Sequence, residues 1–145
     1  MSYTRYADDL TFSSRNFITD KIKDAIIDII KEAGFQINPK KIRFQSNNMC
    51  QYVTGIKVNE KLNIDRRYIR NVRAILHDWK LNGLEKASVK MTGGISDGND
   101  EYFLRSLFSR IVFIESVRGE DDKICDKLKI QFNELSKRDV YFIDK

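Results

Sequence analysis

Apolar residues recur in two different rhythms along this chain. Tyr3, Thr4 and Tyr6 lead into Asp8-Asp9, and Leu10, Thr11 and Phe12 lead out. Strand formers on either side of a turn-prone acidic pair predict a hairpin. Beyond a cap at Asn16 or Thr19 the period changes. Ile22, Ala25, Ile26, Ile29, Ile30 and Ala33 fall at three- and four-residue steps, predicting a helix to about Glu32 that stops at Gly34. Pro39 blocks its continuation. Alternation returns in residues 41–46, where Ile42 and Phe44 sit between Lys41, Arg43 and Gln45. It returns again in 50–58, where Tyr52, Thr54, Ile56 and Val58 share one parity. These predict two strands joined by Ser46-Asn47-Asn48, with Gly55 as a bulge or a point of close backbone approach.

The second half reads as helical. Ile64-Asp65 open a helix over about 65–82, with Ile69, Val72, Leu76 and Trp79 as its apolar stripe and Asn82-Gly83 at its end. Residues 84–97 read as a loop, broken most clearly at Gly93-Gly94. Asp97 or Asn99 is placed to cap a helix to about Arg118, carrying Phe103, Leu104, Leu107, Phe108, Ile111, Ile114 and Val117. Gly119 interrupts, and Asp121 starts a final helix with Ile124, Leu128, Phe132 and Leu135. The expected class is α+β: a β-rich lobe with one helix over residues 1–60, then a helical lobe over 61–145.

Composition narrows the picture. Of 145 residues, 41% are hydrophobic and 32% charged, which are globular rather than disordered proportions. A formal net charge of +5 favours an anionic partner. Cys50 and Cys125 lie far apart beside a lone His77, so neither a zinc pattern nor a disulfide framework is present. Both thiols are expected to be buried or half-buried in a reducing cytosol. No apolar run approaches the roughly 18 residues of a membrane span, and Met1 opens a strand rather than a signal-peptide pattern. A cytoplasmic protein with no membrane partner is expected.

Two features carry candidate chemistry. Carboxylates at a hairpin tip, here Asp8 and Asp9, can offer oxygens to a hard divalent cation, although Asp-Asp is equally good turn chemistry. Arg66, Arg70 and Arg73 share one face of the 65–82 helix, which suits phosphate contacts or a plainly solvated surface.

Tyr6-Ala7-Asp8-Asp9, in its aromatic and threonine-rich setting, resembles the catalytic hairpin of reverse transcriptases in the form found in bacterial retron-type enzymes. Further blocks follow in family order. Gly34 to Arg43, with Gly34-Phe35 and then Asn38 and Lys40-Lys41, resembles the next block. Gln51 to Asn59 is similar to the retron-type Val-Thr-Gly segment, and Arg67 to His77 to the first thumb helix. The stretch from Leu107 through Gly119-Glu120-Asp121-Asp122 to Leu135 resembles the C-terminal thumb helices. Phe108-Ser109 departs from the pattern, standing where a Lys-Gly or similar pair is expected.

The resemblance implies part of a palm domain followed by a helical thumb, within an RNA-directed DNA polymerase. It implies Asp8 and Asp9 as ligands of Mg²⁺ in a two-metal mechanism, with Tyr6 and Ala7 close to the incoming deoxynucleoside triphosphate. Lys40 corresponds to a lysine close to that triphosphate, its alternative being a solvated lysine beside Lys41. Nucleic-acid contacts are implied for Lys41, Arg43, Val53, Thr54, Gly55, Arg66, Arg70 and Arg73. The implied partners are an RNA template, a DNA or RNA primer, deoxynucleoside triphosphates and a polypeptide supplying the fingers and the third palm aspartate. Without that aspartate the chain is expected to be catalytically silent. A non-catalytic module that recognises a structured RNA is the alternative.

Overall fold

The acidic hairpin forms where strand formers meet turn formers. A computed structural model of the chain describes residues 1–91 and 100–137. Strands β1 (Ser2–Tyr6) and β2 (Asp9–Ser13) pair antiparallel, with Tyr3 opposite Phe12 and Tyr6 opposite Asp9. The Tyr3 and Phe12 rings lie 5.1 Å apart on one face, a cross-strand aromatic pair of the kind that stabilises hairpins. Helix α1 (Asp20–Glu32) follows. Of the two candidate caps Thr19 serves, its Oγ1 accepting from the Ile22 N–H. Gly34, at φ +84°, takes the left-handed position just beyond.

Two strand expectations are corrected. Residues 41–46 form no strand: Pro39–Lys41 is a single 3-10 turn, and Ile42 and Phe44 are exposed. The alternation there has no backbone partner to pair with. Instead the Gln45 side chain acts as one, its amide donating to the Tyr52 carbonyl at 2.9 Å while its oxygen accepts from the Tyr52 N–H. The run 50–58 is not one strand but β3 (Tyr52–Val53) and β4 (Ile56–Lys57), parted at Thr54-Gly55. Strand β4 pairs antiparallel with β5 (Asn63–Ile64), Ile56 opposite Ile64.

The chain divides into two compact units, Met1–Thr54 and a second from Gly55 onward. In the first, not one side chain is buried. The second holds the core of the described residues. Helix α2 (Arg66–Asn82) starts at Asp65, whose carboxylate accepts from the Arg67 N–H at 2.7 Å. It buries Ile69, Val72, Leu76 and Trp79, the expected stripe. Helix α4 (Asp100–Arg118) contributes Phe103, Leu104, Leu107, Ile111 and Ile114, and α5 (Lys123–Ser136) contributes Cys125, Leu128 and Phe132.

Between them lies a further correction, since Leu84–Met91 is helix α3 rather than loop. Leu84, Ala87, Ser88 and Met91 recur at helical steps, and the small Ala87 and Ser88 are buried against the core. The expected break at Gly93-Gly94 and the caps at Asp97 or Asn99 lie outside the described residues. Among those residues the fold is α+β, with five α-helices and small antiparallel sheets. No described helix is long and apolar enough to cross a membrane. Cys125 is buried as expected, but Cys50 is exposed.

Asp122, one residue past the expected Asp121, caps α5 by accepting from the Ile124 and Cys125 N–H groups. Its other oxygen takes a 2.7 Å hydrogen bond from Arg118, whose guanidinium also donates to Asn63. Arg118 and the backbone donors hold the Asp122 carboxyl down at about 2. The group is therefore ionised in the folded state at pH values where the unfolded chain would already bind a proton. Its stabilisation is whole above about pH 4 and is lost as pH falls through about 2. Asp122→Ala should lower stability at pH 7 by about 1–2 kcal/mol. In urea unfolding over a pH series, the gap between parent and variant should close towards pH 2. A gap that stays constant would refute the assignment.

Candidate catalytic hairpin and nucleic-acid interface

Residues Ala7 and Asp8 make the whole connection between β1 and β2, because Tyr6 and Asp9 already pair. Two-residue hairpin loops need left-handed backbone to match strand twist, and Ala7 supplies it at φ 49°. The Arg5 Nε–H donates to the Ala7 carbonyl at 2.8 Å and steadies the turn. Asp8 thus lies in the turn and Asp9 opens β2, two adjacent exposed carboxylates at one end of the hairpin. Tyr6, 72% exposed, pairs across from Asp9.

Two carboxylates match what a Mg²⁺ ion takes from a protein when substrate phosphates complete its shell. Among the described residues no third acidic, histidine or cysteine side chain joins them. The donor set fits one such ion in part, and a bridged pair of ions needs a further acid.

Elsewhere in the first unit, Asn38 accepts from the Lys40 N–H at 3.0 Å and fixes the 3-10 turn that carries Lys40 and Lys41, both exposed. Arg43 is exposed just beyond. At the Val-Thr-Gly segment, Val53 is half-buried, while Thr54 and Gly55 are exposed with φ of 49° and 84°. Two successive positive φ values are what a type I′ turn requires. A Cβ added at Gly55 would meet nothing within 4 Å, so the glycine is there for its dihedral and not for close packing within the protein. Thr54 is a β-branched residue in the left-handed region, a strained position. Its hydroxyl donates to the Val53 carbonyl at 2.8 Å.

In the second unit the structure separates the arginine row. Arg70 and Arg73 line an open cleft of about 660 Å³ with Ala74, His77 and Asp78 of α2, Lys90 of α3, and Lys127, Leu128 and Gln131 of α5. Arg66 is exposed on α2 but does not line the cleft. Sequence reading missed Lys90, Lys127 and Gln131. The available signal was the four-residue step from Lys127 to Gln131, beside the buried row of Cys125, Leu128 and Phe132. Asp78 is tied to Lys90 at 3.1 Å and accepts from Asn82 at 2.9 Å. The Lys90 ammonium holds its carboxyl below the usual range. Burial pushes the Cys125 thiol up to about 11, which leaves it no nucleophilic role near neutral pH.

Over about half to two thirds of its length the chain is similar in sequence to known reverse transcriptases. The relationship is to the retron type. The Mx65 retron reverse transcriptase of Myxococcus xanthus is 39% identical over 77 residues, 52% of this chain and 18% of its own length. The Ec86 retron reverse transcriptase of Escherichia coli is 38% identical over 77 residues, 52% of this chain and 24% of its own length. The Mx162 retron reverse transcriptase of Myxococcus xanthus is 29% identical over 114 residues, covering 66% of this chain and 24% of its own length. The matches thus span well under half of these curated relatives. No family model matches the chain. No solved structure matches it either.

The strain at Thr54 is testable. Thr54→Gly should stabilise the protein by about 1 kcal/mol, because glycine adopts positive φ without the steric cost. Chemical denaturation of parent and variant measures this, and a destabilised variant would mean that the turn relaxes in solution.

Proposed function

We propose that this chain is part of a retron-type RNA-directed DNA polymerase, with residues 1–60 contributing to its palm and residues 61–145 forming its thumb. The observation that carries the reading is the turn that holds Asp8 and Asp9 side by side, exposed and outside any ion pair among the described residues. The retron relatives supply the reaction class. In this role Asp8 and Asp9 hold Mg²⁺, which when bound serves to activate a primer 3′-hydroxyl and to stabilise departing pyrophosphate. Lys40 sits close to the triphosphate and offsets its negative charge. Tyr6 and Ala7 lie beside the incoming nucleotide. Lys41, Arg43 and the Val53-Thr54-Gly55 turn contact the nucleic acid, with Arg66, Arg70 and Arg73 on its phosphates.

A polypeptide carrying fingers and the remaining palm acid completes the site. The first unit supports this, because its hairpin, helix and loops leave every apolar side chain at least partly exposed, Ile29 at 64% and Phe35 at 60%. Surfaces of that kind are ordinarily covered by more protein.

Primer extension on an RNA template with Mg²⁺ tests the proposal, using this chain by itself and mixed with a family-type fingers-and-palm polypeptide. Extension is expected on mixing alone, and Asp8→Asn or Asp9→Asn should return it to the level of a no-enzyme control. Extension by the unmixed chain would refute the need for a completing polypeptide. Activity that survives both substitutions would favour a non-catalytic RNA-binding module.

A further inference from the structure

Among the described residues, Arg5 is the one side chain that hydrogen-bonds the backbone of the acidic turn, its Nε–H donating to the Ala7 carbonyl at 2.8 Å. Ala7 alone in the hairpin has positive φ, at 49°. There the Cβ of an L-residue crowds its own carbonyl oxygen. The turn therefore needs a contact made only in this conformation. The Ala7 carbonyl is where such a contact has most effect, because it shares one rigid plane with the Asp8 N–H. Pinning that carbonyl fixes the plane from which Asp8 departs, and β2 begins at Asp9 just beyond.

The hairpin register keeps the cation away from the acids it serves. Arg5 stands opposite Leu10, and Tyr6 opposite Asp9. Directly opposed residues share a face, and successive residues alternate between faces. Arg5 thus lies with Tyr3, Leu10 and Phe12 on one face, whereas Asp9 lies with Thr4, Tyr6 and Thr11 on the other. Neither Asp8 nor Asp9 ion-pairs with Arg5, although both are close to it in sequence. A guanidinium bridging the carboxylates would compete with a metal ion for their oxygens. One that grips the backbone from the opposite face orders the turn and leaves those oxygens available.

We propose that Arg5 is the positioning residue of the acidic turn. Its Nε–H holds the left-handed Ala7 backbone, and so sets how Asp8 and Asp9 are presented to a divalent cation. The donor does this work and the positive charge does not. The proposal deepens the polymerase reading and rests on it for the use of the turn.

NMR spectroscopy of the full chain tests it, with Mn²⁺ as the probe ion. The parent should show the strong intraresidue amide–α contact that marks positive φ at Ala7, and Mn²⁺ should broaden the Asp8 and Asp9 resonances. Arg5→Gln puts an amide nitrogen as many bonds from Cα as the arginine Nε, so it keeps a donor and drops the charge. Arg5→Met puts a methyl group there and drops both. Arg5→Gln should keep the Ala7 signature and bind Mn²⁺ at least as well as the parent. Arg5→Met should lose the signature and bind Mn²⁺ about fivefold more weakly. Its changes should be confined to Ala7, Asp8 and Asp9, with the Tyr3–Phe12 contact intact. Ala7→Gly in the Arg5→Met background should bring binding back towards the parent's, because glycine takes positive φ without steric cost.

Equal behaviour of Arg5→Gln and Arg5→Met would overturn the proposal in favour of charge alone. Loss of the whole hairpin in Arg5→Met would overturn it in favour of general stabilisation, as would a parent without the Ala7 signature. A parent whose turn is ordered but untouched by Mn²⁺ would overturn the metal role taken from the polymerase reading, while the Ala7 signature still decides the grip of Arg5. None of these readouts needs a second polypeptide, so failure of primer extension leaves them standing.

Discussion

Trp79 joins the three long helices of the second unit. Its ring meets Phe103 of α4 at 5.5 Å and Phe132 of α5 at 5.8 Å, both edge to face. Such pairs are worth about 0.5–1.5 kcal/mol each beyond the area they bury. Their larger consequence is orientation. A helix advances about 100° per residue, so burying the row that ends at Trp79 turns the row of Arg70, Arg73 and His77 about 110° away from the core. That angle brings it neither to the far side of α2 nor into the interior, but to the rim shared with α5. The same aromatic contact fixes the rotation of α5, because Phe132 and Leu128 face inward and Lys127 and Gln131 then border the rim from the other side. The basic trough thus follows from how the apolar rows of α2 and α5 are buried.

The electrostatics of the unit are arranged to leave that trough unneutralised. The Glu115–Lys129 pair links α4 to α5, and Arg118–Asp122 ties the end of α4 to the start of α5. Both lie outside the cleft lining. Within Arg66–Asn82 the arginines outnumber Asp78, and the nearest cation to engage it is Lys90 from α3. Helix α3 can come this close because Ala87 and Ser88 are small where it meets the core. Packing, in this unit, decides which charges remain available.

How far the sequence could be read depended on the length of each periodic signal. Helices α2 and α4 were legible because their buried apolar rows, Ile69 to Trp79 and Phe103 to Ile114, each run over about three turns with large side chains. Helix α3 was missed because its buried positions are Ala87 and Ser88, which look like loop composition. The run 41–46 misled because alternation signals a strand only when a partner exists, and here a single side chain, Gln45, takes that place. The turn at Thr54-Gly55 was hidden because parity continues through it and threonine is a strand former. Only the dihedrals reveal that Thr54 stands in the left-handed region. On the candidate sites, the acidic turn and the α2 arginines were readable from local spacing. The α5 wall was not, since Lys127 lies between Asp126 and Leu128 in a helix of mixed charge, and its partnership with α2 exists only in three dimensions.

The first unit obeys a different rule. Its elements are well specified locally, with a capped helix, an aromatic cross-strand pair and a two-residue turn, yet none of its side chains is buried. Local signals of this kind set conformation but contribute little net stability, and an isolated helix of 13 residues is marginal in water. The isoleucines of α1 recur at helical steps, as those of a core-facing helix do. The strain of Ala7 at positive φ adds a cost that a lone hairpin is poorly placed to bear. On the polymerase reading these observations have one cause. On that reading a completing polypeptide meets the apolar faces of β1, β2 and α1, and assembly of the carboxylates and burial of the unit become the same event.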